Sequence, residues 1–101
     1  MGVKLELFDN KLIAKISGEL DHHSAADFRN QIDKFINEKK LKNLILDFSE
    51  VNFMDTSGIG FIMGRFKIAC NLGIKLKVIN IPEKLERLVK LSGIKNLGIL
   101  E

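Results

Sequence analysis

Phe53-Met54-Asp55-Thr56-Ser57-Gly58-Ile59-Gly60 stands almost at the middle of the chain, and its reading decides the fold. An apolar strand leads towards it from Asn43 to Phe48, and an apolar helical stretch leads away from Ile59 to Leu72. Three small polar residues and a glycine therefore fall where a helix begins. The first N–H groups of a helix lack partners within it, and the helix dipole adds partial positive charge there. Such a start suits an anion, or a group that becomes one. Asp55, Thr56 and Ser57 are equally alternative N-caps, the ordinary role of these residue types.

Working outward, Val3, Leu5 and Leu7 alternate with Lys4 and Glu6, and Leu12, Ala14 and Ile16 alternate with Lys11, Ile13 and Lys15. Asp9-Asn10 lies between them, so the two runs read as a hairpin. After Gly18-Glu19-Leu20-Asp21 a first helix is expected, capped by Asp21 or by Ser24. Phe28, Ile32, Phe35 and Ile36 form its apolar stripe, and Arg29, Asp33, Lys34 and Asn37 turn away. Leu44, Leu46 and Phe48 form the inner face of a third strand. The central helix ends near Asn71 to Gly73, and Leu76 and Val78 belong to a fourth strand. Pro82 suits the first turn of a third helix, with Leu85, Leu88 and Val89 facing inward and Gly93 after its end. A short last strand is expected from Leu97 to Leu100. The order is β-β-α-β-α-β-α-β, an α/β class in which strands separated by helices pair in parallel through right-handed crossovers. Lys11, Lys15, Asp47, Lys75 and Lys77 occupy alternate strand positions. One sheet face is therefore wet and the helices lie mainly on the other, which argues against a doubly wound nucleotide fold.

At about 100° per residue, Ile59, Ile62, Met63, Phe66, Ala69 and Cys70 share an arc about 120° wide, enough to bury the central helix. Phe61, Ile68 and Leu72 lie nearly opposite, with Gly60, Gly64 and Arg65, and Ser57 projects onto the start of that second face. Each mid-helix glycine costs about 1 kcal/mol relative to alanine, so something should need the backbone approachable there. Either another helix covers this face or a partner does.

The 101 residues imply one domain over 1–101 with one core, and Cys70 as the lone cysteine rules out an internal disulfide. Charges interrupt the first twenty residues and no run is long enough to span a membrane, so a cytoplasmic soluble protein is expected. A net charge of +3, without Trp or Tyr to stack on bases, gives little support to nucleic-acid binding. Asp55-Thr56-Ser57-Gly58 lacks the glycine placement and the second carboxylate of aspartic proteases. Neither a G-x-S-x-G elbow nor a phosphate-loop lysine motif occurs. His22-His23 beside Asp21 reads as solvated rather than as a metal site. No catalytic residues, metal or cofactor are expected, and the chain does not read as an enzyme.

Gly18-Glu19-Leu20-Asp21-His22-His23-Ser24-Ala25, then the central Phe53-to-Gly60 stretch, then Gly64-Arg65-Phe66-Lys67, resemble the STAS domain family, and within it the anti-sigma factor antagonists of the sporulation type. The likeness covers nearly the whole chain. It departs in one respect, since such antagonists usually carry a further C-terminal helix and this sequence ends at Glu101. The resemblance implies a STAS-like domain with a mixed, mostly parallel sheet. It also implies that Ser57, which precedes Gly58-Ile59-Gly60, is phosphorylated by an anti-sigma factor acting as an ATP-using protein kinase. Asp21, Asp55, Thr56 and Gly58 would support the phosphosite, with Thr56 as an additional cap.

The implied function is a partner switch: the unphosphorylated form binds the anti-sigma factor and frees a sigma factor, the phosphorylated form lets go, and a protein phosphatase restores binding. The expected partner surface is Gly60, Phe61, Gly64, Arg65 and Ile68 of the central helix, extended by Gly18, Glu19, Asp21, His23 and Ser24. No nucleic acid or membrane partner is implied. The family also includes accessory subunits of membrane lipid transporters that are not phosphorylated, and the helix start could instead hold a nucleotide or another small anion.

Overall fold

The computed structural model describes residues 2–101. Strands β1 (Gly2–Phe8) and β2 (Lys11–Leu20) form the expected antiparallel hairpin, with Phe8 opposite Lys11 across a two-residue turn. Asp9 takes a left-handed φ of 54°, a conformation that Asp and Asn tolerate better than other non-glycine residues. Helix α1 (Ala25–Glu38), strand β3 (Asn43–Met54), helix α2 (Thr56–Leu72), strand β4 (Lys75–Ile79) and helix α3 (Glu86–Ser92) follow. The four strands lie in the order β1-β2-β3-β4, with β3 parallel to both β2 and β4. Gly73 ends α2 in the left-handed conformation that glycine adopts without a side-chain clash.

The register explains the core. Leu5, Ala14, Leu46 and Val78 lie in one row across the sheet, and Leu7, Leu12, Leu44 and Leu76 in the next. Most of these side chains are fully buried beneath α1 and α2, which contribute Phe28, Ile32, Ile36, Ile59, Phe61, Ile62 and Ala69. On the opposite face the same register aligns Lys4, Lys15, Asp47 and Ile79, the wet side that the alternating lysines foretold. Asp47 is held there by the Ser49 N–H at 2.9 Å and by Asn80 Nδ2 at 3.1 Å.

Two elements differ from the sequence expectation. β3 does not stop at Phe48 but runs on to Met54, so strand joins helix with only Asp55 between. The last strand is reduced to a single parallel bridge, Val78 with Leu100, because residues Ile94–Leu97 wind into a 3-10 turn. Val78 N–H donates to Ile99 C=O at 2.8 Å, and Glu101 N–H donates to Val78 C=O at 3.0 Å.

Candidate functional site

Two irregularities in the β2–β3 ladder, between Lys15 and Ser17 and between Gly18 and Glu19, let β3 gain residues on β2 until Leu20 stands opposite Met54. Gly18 takes a φ of 88° at this point, open to glycine and strained for other residues. Each strand then delivers an aspartate at the same level, Asp21 after Leu20 and Asp55 after Met54. Both aspartates organise the turn of chain that follows. Asp55 Oδ1 accepts from the Ser57 N–H at 2.8 Å, and Asp55 C=O accepts from Gly58 N–H at 3.0 Å. Asp55 is thus the cap of α2. Thr56, expected to add a cap, is instead the exposed first residue of the helix. Ser57 Oγ takes no part in the cap and has no hydrogen-bond partner among the described residues.

On the neighbouring junction Asp21 Oδ1 accepts from the N–H groups of His23 at 2.9 Å and Ser24 at 3.0 Å. Ser24 Oγ returns the favour, accepting from Asp21 N–H at 3.0 Å while donating to Glu19 C=O at 2.6 Å. The two alternatives offered by the sequence are therefore one reciprocal arrangement, like a capping box. The Ser24 N–H, followed by the contributions of His23, holds the Asp21 carboxyl below the usual carboxylate range despite some desolvation. His22 and His23 are exposed with their rings edge-on 5.7 Å apart, and no group of three or more metal-ligating side chains occurs among the described residues.

Between the starts of α1 and α2 lies a cleft of about 230 Å³. Ser57, Gly60 and Gly64 of α2 line one side, Ala25, Ala26 and Arg29 of α1 the other, and Phe61 and Arg65 the base. The helix side expected as partner surface is thus corrected in part. Phe61 and Arg65 are buried inside the domain, Ile68 and Gly64 are half-buried, and Gly60 is exposed. Conversely Met63 and Cys70, assigned to the core arc, are exposed. The buried side of the helix is displaced from the hydropathy arc because α1 covers the Phe61 side and Arg65, counted as polar, is buried against it.

Arg65 Nε lies 2.9 Å from Asp33 Oδ1, although the two are poorly aligned for a hydrogen bond, and the Arg65 guanidinium carbon sits 5.4 Å from the Phe61 ring centre. Burial raises the Asp33 carboxyl more than Arg65 and Arg29 lower it, and burial pulls the Arg65 guanidinium down against the support of Asp33. Desolvation thus opposes both charges, and each is held by the other. Asp33, read from the sequence as turned to solvent, is half-buried beside Arg65, whereas Arg29 is exposed as read and lines the cleft. The signal was present in the i, i+4, i+8 spacing of Ala25, Arg29 and Asp33 along one stripe of α1.

The glycines of α2 divide into two kinds. A side chain on Gly58 would collide with Met54 and come within 3.2 Å of Leu20, so this glycine lets the first turn sit directly on the strand ends. A Cβ on Gly60 or Gly64 would meet nothing within 4 Å. Internal packing therefore asks for Gly58 and not for the other two.

Comparison with known proteins agrees with this architecture. A family model described as "STAS domain" matches residues 3–99. The chain is 34% identical over 92 residues to an anti-sigma F factor antagonist of Paenibacillus polymyxa, covering 91% of this chain and 79% of that protein. It is 29% identical to an anti-sigma-B factor antagonist of Bacillus subtilis, covering 96% and 87%. A solved structure of the Bacillus cell fate determinant SpoIIAA in the phosphorylated form superimposes with a TM-score of 0.78 at 24% identity, over 99% of this chain and 89% of that one. The named relatives are regulators rather than enzymes. No described helix is long and apolar enough to cross a membrane.

Proposed function

This chain belongs to the STAS domain family, and on that premise we propose that it is an anti-sigma factor antagonist switched by phosphorylation of Ser57. In its unmodified form it binds an anti-sigma factor and so frees a sigma factor in the cytoplasm, in a regulatory circuit of the sporulation type. The anti-sigma factor is also the kinase. The Ser57 oxygen forms a bond to the γ-phosphorus of ATP, the bond from that phosphorus to the β,γ-bridging oxygen breaks, and ADP and the hydroxyl proton leave. The phosphorylated protein releases its partner, and a phosphatase returns the hydroxyl by hydrolysis.

The observation that carries this reading is the pairing of an uncommitted serine hydroxyl with two glycines whose outer sides are empty. Glycine within a helix is tolerated at about 1 kcal/mol each only where something gains from it. Here the domain itself gains nothing, so the beneficiary is a surface that approaches the α2 backbone closely beside Ser57. A phosphate there adds about −1.5 to −2 charges to an interface shaped for a hydroxyl. A penalty of about 3 kcal/mol weakens binding more than a hundredfold.

The test is incubation with the cognate anti-sigma factor and ATP, followed by mass spectrometry of the intact chain and its peptides. One phosphate on Ser57, absent from Ser57→Ala, is expected. A phosphate on Thr56, or none on the chain, overturns the reading.

A further inference from the structure

A phosphoryl group on Ser57 would need a seat and a counter-charge. The obvious seat, the start of α2, is already taken: the Ser57 N–H is bound by the Asp55 carboxylate and the Gly58 N–H by the Asp55 carbonyl. A phosphate on Ser57 would meet the Asp55 charge there, so its counter-charge has to come from elsewhere. Two guanidinium groups, Arg29 and Arg65, line the same cleft as Ser57; Asp33 faces them and Asp55 flanks Ser57 itself, so what the cleft has to spare is a donor rather than a net charge. Arg65 is only 4% exposed, and its Nη1 is buried without a hydrogen-bond partner among the described residues. A buried donor left unpaired costs about 1–3 kcal/mol, more on a charged group.

We infer that this cleft is the receptor for the phosphoryl group of Ser57: Arg29, backed by the unused Nη1–H of Arg65, holds the phosphate oxygens across the gap between α1 and α2. The inference rests on Ser57 being the modified residue. Its geometry follows from the two helices running side by side with their starts together, since Ala25 and Ala26 share the cleft with Ser57 while Asp33, two turns on, meets Arg65. Side chains on a helix lean towards its N-terminus, so Arg29 leans back towards the level of Ser57. Gly60 and Gly64 place no side chain in the path. A guanidinium presents planar paired donors that match phosphate oxygens. The phosphate then ties the two helices together and fills the cleft that a partner would otherwise enter.

The experiment places phosphoserine at position 57 during synthesis of the full chain and follows the phosphorus resonance against pH. A held dianion loses its last proton at lower pH. The second phosphate pKa, ordinarily about 6, should therefore lie about one unit lower in the wild type than in Arg29→Ala. Arg29→Lys should fall between them. Lys34→Ala, which removes an equal charge from the exposed side of α1, should titrate like the wild type. The Arg65 side-chain resonances should shift on phosphorylation. Equal values for the wild type and Arg29→Ala, or an effect of Lys34→Ala as large as that of Arg29→Ala, overturn the clamp. Because the phosphoserine is built in, this result stands apart from the kinase assay, whose failure would overturn only the switch.

Discussion

Replacing Gly60 and Gly64 by alanine should make the protein more stable and a poorer binder at once. Both residues lie inside α2, a helix of 17 residues, away from its ends. Each change gains about 0.8–1.0 kcal/mol of helix propensity. The new methyl groups meet nothing within 4 Å, so no packing strain offsets the gain. Together they should add about 1.6–2 kcal/mol, which for a domain of this size raises the melting temperature by about 6–16 °C. At the interface the same methyls stand where a partner is proposed to touch the backbone. Overpacking by a methyl costs about 1–3 kcal/mol, a loss of about 5–150-fold in affinity. Gly58→Ala is the internal contrast, since its methyl collides with Met54 and should lower stability by about 1–3 kcal/mol. Thermal melting and titration calorimetry against the unphosphorylated protein's anti-sigma factor read both quantities. A stabilised double variant that binds normally would refute the argument, because the glycines would then serve neither the fold nor the partner.

Asp55→Ala should cost about 1 kcal/mol through the lost cap, while Ser57→Ala, whose hydroxyl caps nothing, should melt within about 2 °C of the wild type; calorimetry that ranks them the other way would show that Ser57 has a structural role. Asp21 carries a pH dependence of definite sign. Its folded carboxyl is held low by the Ser24 and His23 N–H groups. The stability it contributes is therefore complete above the ordinary aspartate value of about 3.9 and is lost as pH falls through the lower folded value. The His23 and Ser24 amide resonances should follow a midpoint below about 3.9, and Asp21→Asn should abolish that titration; a midpoint at or above it would refute the assignment.

The strands and helices were legible because alternation in Val3 to Ile16 and helical spacing in Phe28 to Ile36 are direct imprints of what is buried. The junctions were legible too, through Asp21 and Asp55, whose side chains satisfy backbone N–H groups wherever helices start. The orientation of α2 was not. Hydropathy credits Met63 and Cys70 as core and Arg65 as surface, whereas Arg65 is buried by pairing with Asp33 on a different helix, a fact of tertiary contact. Arg29 is exposed as read, but no spacing within α2 could show that it shares a cleft with Ser57. The sequence marked the start of α2 by its small polar residues, but it does not show that Asp55 occupies the Ser57 N–H. The final strand was misjudged because one bridged residue at Leu100 supplies the apolar signal of a strand without its length.

That single bridge has a consequence for self-association. A sheet whose outermost strands keep free N–H and C=O groups invites strand addition by other chains, the first step of many aggregates. On the β4 side, the hydrogen bonds of Ile99 and Glu101 occupy Val78, the fourth residue of a strand only five residues long. A foreign strand would have to displace them to dock. On the β1 side no such guard lies among the described residues, and strand addition is left to the seven residues from Gly2 to Phe8, with Lys4 and Glu6 exposed among them. Charged residues on an outer strand disfavour stacking with a copy of itself. The sheet thus has one latched side and one charge-guarded side, and growth of misassembled species would begin from β1.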